Sequence, residues 1–167
     1  PAWYFRPGTV PTTDTFRIAA SKPIRMKNAT GQGAGNPLIL PVYVFSPKSL
    51  KGRAPMIVFI HGGVHGRLDT DYAHIIREAL DEGYVIVAPE YRGSIGYGKR
   101  FYDAIDYGGA EVNDVVAAAG VLAARYPVGD PARIGVIGWS HGGLIPLLAV
   151  FRNPATVKAA GAGGPVT

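Results

Sequence analysis

The chain has 167 residues, of which 47% are apolar, 10% aromatic and 17% charged, enough apolar material for one buried core and too little polarity for global disorder. Its 17 Lys and Arg outweigh 12 Asp and Glu to give a formal charge of +5, but these cations are scattered and form no run or helical stripe that could track phosphates, so no nucleic-acid partner is expected. Every apolar run is broken by Arg, Asp, Gly or Pro short of the roughly 20 residues that cross a bilayer, so no membrane span is expected.

There is no cysteine, which excludes disulfide frameworks, thiol nucleophiles and thiolate metal sites and leaves the compartment open. The chain opens at Pro1 without a basic segment followed by an apolar one, so it reads as a processed or excised piece. Residues 1–37 form an N-terminal extension rich in Pro, Gly and Thr, with a short strand over Phe16 to Ala20. The cluster Gly31-Gln32-Gly33-Ala34-Gly35 precedes Asn36-Pro37 and opens no helix, which makes it a flexible turn rather than a phosphate loop.

From residue 38 the pattern becomes regular. Leu38 to Phe45, Met56 to Ile60, Tyr84 to Ala88, Ile134 to Ile137 and Val157 to Ala162 are short apolar runs punctuated by Gly or Pro, and they read as strands, several buried on both faces. Between them, Tyr72, Ile75, Ile76, Ala79 and Leu80 place one apolar stripe on a helix that begins near Asp69 to Asp71 and stops at Gly83. Val112, Val115, Val116, Ala119 and Leu122 repeat the device, with Pro127 just beyond. Gly142 to Phe151 is apolar all round apart from its glycines and Pro146, so it reads as a buried helix. Alternating strands and helices imply an α/β fold, a parallel sheet with helices on both faces.

Gly138-Trp139-Ser140-His141-Gly142 fits G-x-S-x-G and stands between a strand and the apolar helix, the context that this motif needs. A sharp turn there would hold Ser140 strained at the carboxyl end of the sheet, where the helix N-terminus favours developing negative charge. Acyl transfer also needs two N–H donors on the oxyanion. One comes from His141, directly after the nucleophile, and the other from His61-Gly62-Gly63 at the end of an earlier strand: the Gly63 amide, with Gly62 as the lesser choice. The His61 imidazole is expected to hold this loop rather than act in catalysis, and His65 and His74 have weaker claims. Glu90 to Phe101 carries three glycines and three aromatics in a loop at the same end of the sheet. Tyr91, Arg92, Tyr97 and Phe101 are therefore expected to line a substrate pocket.

Taken together, Tyr-Arg-Gly-Ser-x-Gly-Tyr-Gly, the His-Gly-Gly loop and Gly-Trp-Ser-His-Gly-Gly, in this order and spacing, closely resemble the catalytic α/β-hydrolase domain of the prolyl oligopeptidase family, over about residues 38 to 165. The resemblance makes residues 38–167 a partial α/β-hydrolase domain lacking the last strands. It implies a serine hydrolase of esterase or peptidase type acting on small esters, amides or peptides through an acyl-enzyme at Ser140. Oxyanion amides at Gly63 and His141 are implied, with Asp114 in a structural helix and no metal or organic cofactor.

In α/β-hydrolases the acid and the histidine of the triad follow the serine, yet residues 142–167 contain no Asp, Glu or His. The base is then a histidine outside this sequence or, within it, His61 or His65. The strand Val157 to Ala162 becomes an open sheet edge that invites a complementing C-terminal segment or a second copy of the chain. The rival expectation is a catalytically incomplete fragment or a non-enzymatic binding module that retains the pocket.

Overall fold

A computed structural model describes residues 12–20 and 38–166. The Pro1 opening and the glycine cluster at 31–35 lie outside the described residues. Six strands form one sheet: β1 (Thr12–Ala19), β2 (Ile39–Ser46), β3 (Ala54–Ile60), β4 (Val85–Pro89), β5 (Gly129–Trp139) and β6 (Ala159–Gly163), in the spatial order β1-β2-β4-β3-β5-β6. Among the described residues the α-helices are α1 (Ala73–Asp81), α2 (Lys99–Tyr102), α3 (Ala110–Arg125) and α4 (His141–Arg152).

Strands β4, β3, β5 and β6 are parallel, whereas β1 pairs antiparallel with β2 and β2 antiparallel with β4. The α/β-hydrolase expectation of a mostly parallel sheet therefore holds, with a mixed flank. That flank follows from alternation: Leu40, Val42 and Val44 point inward and are buried, while Ile39, Tyr43 and Phe45 face the other way and are exposed or half-buried. The run over Leu38 to Phe45 has one well-packed face, the habit of an antiparallel strand, and not two. By contrast, β4 is buried at all its residues.

Helices cover both faces. The stripe of α1 sets Ile76 and Leu80 against Phe59 of β3 and Ile86 of β4. On the opposite face α3 and α4 bury Val112, Val115, Ala119, Leu122, Ile145 and Ala149 against Val58, Ile60, Val87 and Val136. A short 3-10 turn at Thr70–Tyr72, capped by Asp69 accepting from the Asp71 amide at 3.0 Å, leads into α1. Gly83, at φ +84°, supplies the left-handed turn that stops it. Two expectations are corrected here. Helix α4 is buried on one face only, because Phe151 is 80% exposed and Leu144, Leu147, Leu148 and Val150 are half-buried. The loop after β4 also contains a helical turn, α2, that its glycines masked. Among the described residues no helix is long and apolar enough to cross a membrane.

Candidate active site

β5 ends at Trp139 and α4 begins at His141, so Ser140 alone makes the turn, with φ 57° and ψ −123°. A side chain rarely accepts that conformation, and the surroundings must hold it. The Ser140 amide donates to the Gly163 carbonyl at 2.9 Å, and the Ser140 carbonyl accepts from Gly143 at 2.8 Å and Leu144 at 3.2 Å. The flanking glycines are required by space. A Cβ on residue 138 would lie 2.0 Å from the Gly142 carbonyl oxygen, and one on residue 142 would lie 2.3 Å from that of His61. Their absence lets the elbow cross the end of β3, which sets the His61-Gly62-Gly63 loop beside it: a Cβ on Gly62 would be 3.7 Å from that of Ser140.

In that loop Gly63 is exposed at φ 68°. Its carbonyl accepts from the Tyr91 hydroxyl at 2.9 Å and from the Gly66 amide at 3.0 Å. The Gly62 amide points away, donating to the Tyr72 hydroxyl at 3.3 Å, so of the two amides weighed from the sequence one is already engaged. His61 is buried beneath the loop. Its Nε2 lies 2.8 Å from Ser94 Oγ and 3.2 Å from Glu90 Oε2, its Nδ1 lies 3.0 Å from the Gly62 carbonyl, and its ring stacks on Tyr91 with centroids 4.5 Å apart. Ser94 Oγ donates to the Tyr91 carbonyl at 2.7 Å, so it is the acceptor toward His61. Glu90 Oε1 meanwhile accepts the Leu68 amide at 2.9 Å. His65 Nδ1 is 2.8 Å from the Gly93 carbonyl and its ring stacks on Tyr102, while His74 is exposed on α1.

The loop after β4 divides the four residues expected to line a pocket. Tyr91 and Arg92 do not form a wall, because they follow β4 directly and tuck under the loop, with exposures of 0% and 3%. Burial pushes the Tyr91 phenol well above its ordinary range, with Glu111 and Glu90 adding to it. Arg92 donates through Nε and Nη2 to the two carboxylate oxygens of Asp114 at 2.7 and 2.8 Å, and its amide adds a third bond at 3.1 Å. Burial pushes the Asp114 carboxyl up, and Arg92 opposes it. Tyr97 and Phe101 do line a cleft of about 320 Å³ with Thr15, Arg17, Pro41 and Tyr43. Tyr97 also faces a second cleft of about 510 Å³ with Arg67, Asp69, Glu90 and Ile95. Its hydroxyl lies 3.1 Å from that of Tyr43. Ser140, Gly63 and His141 belong to the lining of neither cleft.

One cluster escaped the sequence reading. Glu111, in the first turn of α3, is fully buried, with Oε1 3.3 Å from Nε2 of the buried His141. The same oxygen accepts the Gly108 amide, and Asp106 accepts the Ala110 amide alongside. Burial raises the Glu111 carboxyl, but the close His141 imidazole, Asp106 and the Gly108 amide outweigh it and hold the group at about 2. Asp106 is displaced upward, first by burial and then by its bond to Glu111. An acid in a first helical turn ordinarily signals only a favourable helix dipole, so the sequence carries no sign of this contact. Among the described residues no group of three or more His, Asp or Glu could hold a metal ion.

The chain is 37% identical over 107 residues to the uncharacterized peptidase YuxL of Bacillus subtilis, a match covering 62% of this chain and 16% of that protein. It is 35% identical over 120 residues to human dipeptidyl peptidase 8, covering 68% of this chain and 13% of the relative. The chain thus spans less than a fifth of the length of either protein. The solved acylaminoacyl peptidase of Pyrococcus horikoshii shares the fold, with a TM-score of 0.72 at 23% identity, covering 95% of this chain and 24% of that one. The model of the prolyl oligopeptidase family matches residues 71–167, the stretch that holds the serine elbow, Glu111 and the loop after β4, and on that match the chain belongs to the prolyl oligopeptidase family.

Proposed function

We propose that this chain carries the nucleophile and the oxyanion donors of a serine hydrolase that cleaves ester, amide or peptide bonds through an acyl-enzyme. The observation that supports it most is Ser140, held at φ 57° where β5 meets α4 with the glycine loop alongside. In this reading Ser140 Oγ attacks the substrate carbonyl carbon and passes its proton to a base. The resulting oxyanion accepts hydrogen bonds from the Gly63 and His141 amides. Collapse expels the alcohol or amine, which takes up the proton, and water then releases the acyl group from Ser140. Tyr97 and Phe101 are the reading's walls for the acyl or leaving group, supported from beneath by Tyr91 and Arg92.

His61 and His65 are committed to loop contacts, and residues 142–167 contain no histidine. The reading therefore takes the base from a complementing segment or a second copy laid against β6. The same observation favours a second reading, a binding module that keeps the site without turning over. A fluorophosphonate probe, which phosphonylates an activated serine, separates the two. Labelling that disappears in Ser140→Ala supports the hydrolase, labelling only of a chain extended at its C-terminus places the base in a complementing segment, and a chain that stays unlabelled in both forms supports the binding module. Labelling that survives the substitution removes Ser140 from the nucleophile's role. If a second copy supplies the base, the labelling rate per molecule rises with protein concentration.

A further inference from the structure

The peptide joining Ser140 to His141 carries the N–H assigned to the oxyanion, and the side chain of His141 is the lever closest to it. That side chain is 4% exposed, with the Tyr91 ring at a centroid distance of 6.0 Å and the Tyr107 ring at 6.3 Å. Glu111 Oε1 lies against the His141 Nε2 at 3.3 Å. Glu111 is itself anchored by the Gly108 amide, which ties the contact to the start of α3. Its other oxygen, Oε2, and His141 Nε2 are both buried and make no aligned hydrogen bond. A carboxylate kept without solvent in this position is costly unless something requires it, because an apolar residue of similar size would fill the space with less desolvation.

Resting on the reading of Ser140 as nucleophile, we propose that Glu111 is a positioning residue: by holding the His141 imidazole it fixes the plane of the Ser140–His141 peptide, and so aims the His141 N–H at the oxyanion. Glu111 touches neither substrate nor reacting atom. Its contribution runs through one side chain to the backbone next to it, so it acts on the tetrahedral state and not on the initial encounter with substrate. The coupling is confined to two residues on two helices, α3 and α4, whose N-termini meet beside the serine.

The test uses Glu111→Gln, close in shape and still able to accept the Gly108 amide, and His141→Phe, which keeps the ring but removes its nitrogens. Saturation kinetics of fluorophosphonate labelling separate reversible binding from the covalent step. The covalent rate constant is expected to fall about tenfold in each variant with the binding constant unchanged, less than the roughly 10²-fold to 10³-fold loss when one oxyanion donor is removed outright. The double variant is expected to be no slower than either single one, because both break the same contact. With selective ¹⁵N labelling of the 4 histidines, the His141 amide cross-peak is expected to move in Glu111→Gln while that of His74 stays. Losses that multiply in the double variant, or a His141 cross-peak that does not move, overturn the proposal. If neither the wild type nor a C-terminally extended chain takes label, the reading of Ser140 fails instead, and the His141 cross-peak alone decides the role of Glu111.

Discussion

Arg92 and Asp114 form a buried two-pronged ion pair, Nε to Oδ2 at 2.7 Å and Nη2 to Oδ1 at 2.8 Å, which fastens the loop after β4 to the second turn of α3. Removing Asp114 takes from the buried Arg92 guanidinium the carboxylate that holds it at both nitrogens. Asp114→Ala is expected to lower stability by about 3 to 5 kcal/mol, read as a shift of the urea unfolding midpoint. A loss below about 1 kcal/mol would mean that the pair is no better than a surface bridge.

The conformation of Ser140 makes an opposite prediction. Glycine accepts that backbone without strain, so Ser140→Gly is expected to stabilise the chain by about 1 kcal/mol while abolishing fluorophosphonate labelling. Chemical denaturation compared with Ser140→Ala checks it. If the glycine variant is the less stable of the two, the elbow stores no strain.

Three glycines can be ranked by the space beside them. A Cβ at Gly138 would meet the Gly142 carbonyl oxygen at 2.0 Å, and one at Gly142 would meet the His61 oxygen at 2.3 Å, whereas at Gly120, inside α3, a Cβ meets nothing within 4 Å. Gly138→Ala and Gly142→Ala are expected to impair folding, seen as lost soluble yield or a melting point many degrees lower. Gly120→Ala is expected to add about 0.5 to 1 kcal/mol. Equal melting points for Gly120→Ala and Gly142→Ala would contradict the crossing of the elbow over β3.

Acid sensitivity should pass through Glu111. Its carboxyl is held at about 2 in the fold against an ordinary 4.5. The ionised form is thus favoured by folding, and its contribution is complete above the ordinary value and lost as pH falls toward the lower one. Asp106, displaced upward, works in the opposite sense. Urea midpoints measured from about pH 5 down to about pH 2 are expected to fall less steeply in Glu111→Gln than in the wild type. Parallel curves would show that Glu111 does not carry the acid response.

Much of this arrangement can be read from the chain. The stripe Tyr72, Ile75, Ile76, Ala79 and Leu80 places α1 because helical period is a local property. Gly138-Trp139-Ser140-His141-Gly142 places the elbow because the turn dictates its own residues. Strand direction is less accessible: the antiparallel pairing of β2 with β4 depends on where the chain returns, which local periodicity does not encode. Tyr91 and Arg92 resembled a pocket wall because aromatic and cationic side chains in loops often are one. Their burial follows from Asp114 and Gly63 lying within reach, and neither is near them in sequence. Glu111 is hidden for the same reason, since only the meeting of α3 with α4 turns an ordinary helix-start acid into a partner for His141.

The two flanks of the sheet differ in kind. β1 exposes Arg17 on one face and turns Asp14 to the other, where it accepts from the Tyr126 hydroxyl at 2.7 Å, while β6 ends the other side as Ala159-Ala160-Gly161-Ala162-Gly163, small and without charge. A strand laid against β6 would lie beside Ser140, whose amide already bonds the Gly163 carbonyl, so any lengthening of the sheet on that margin would bear directly on the elbow.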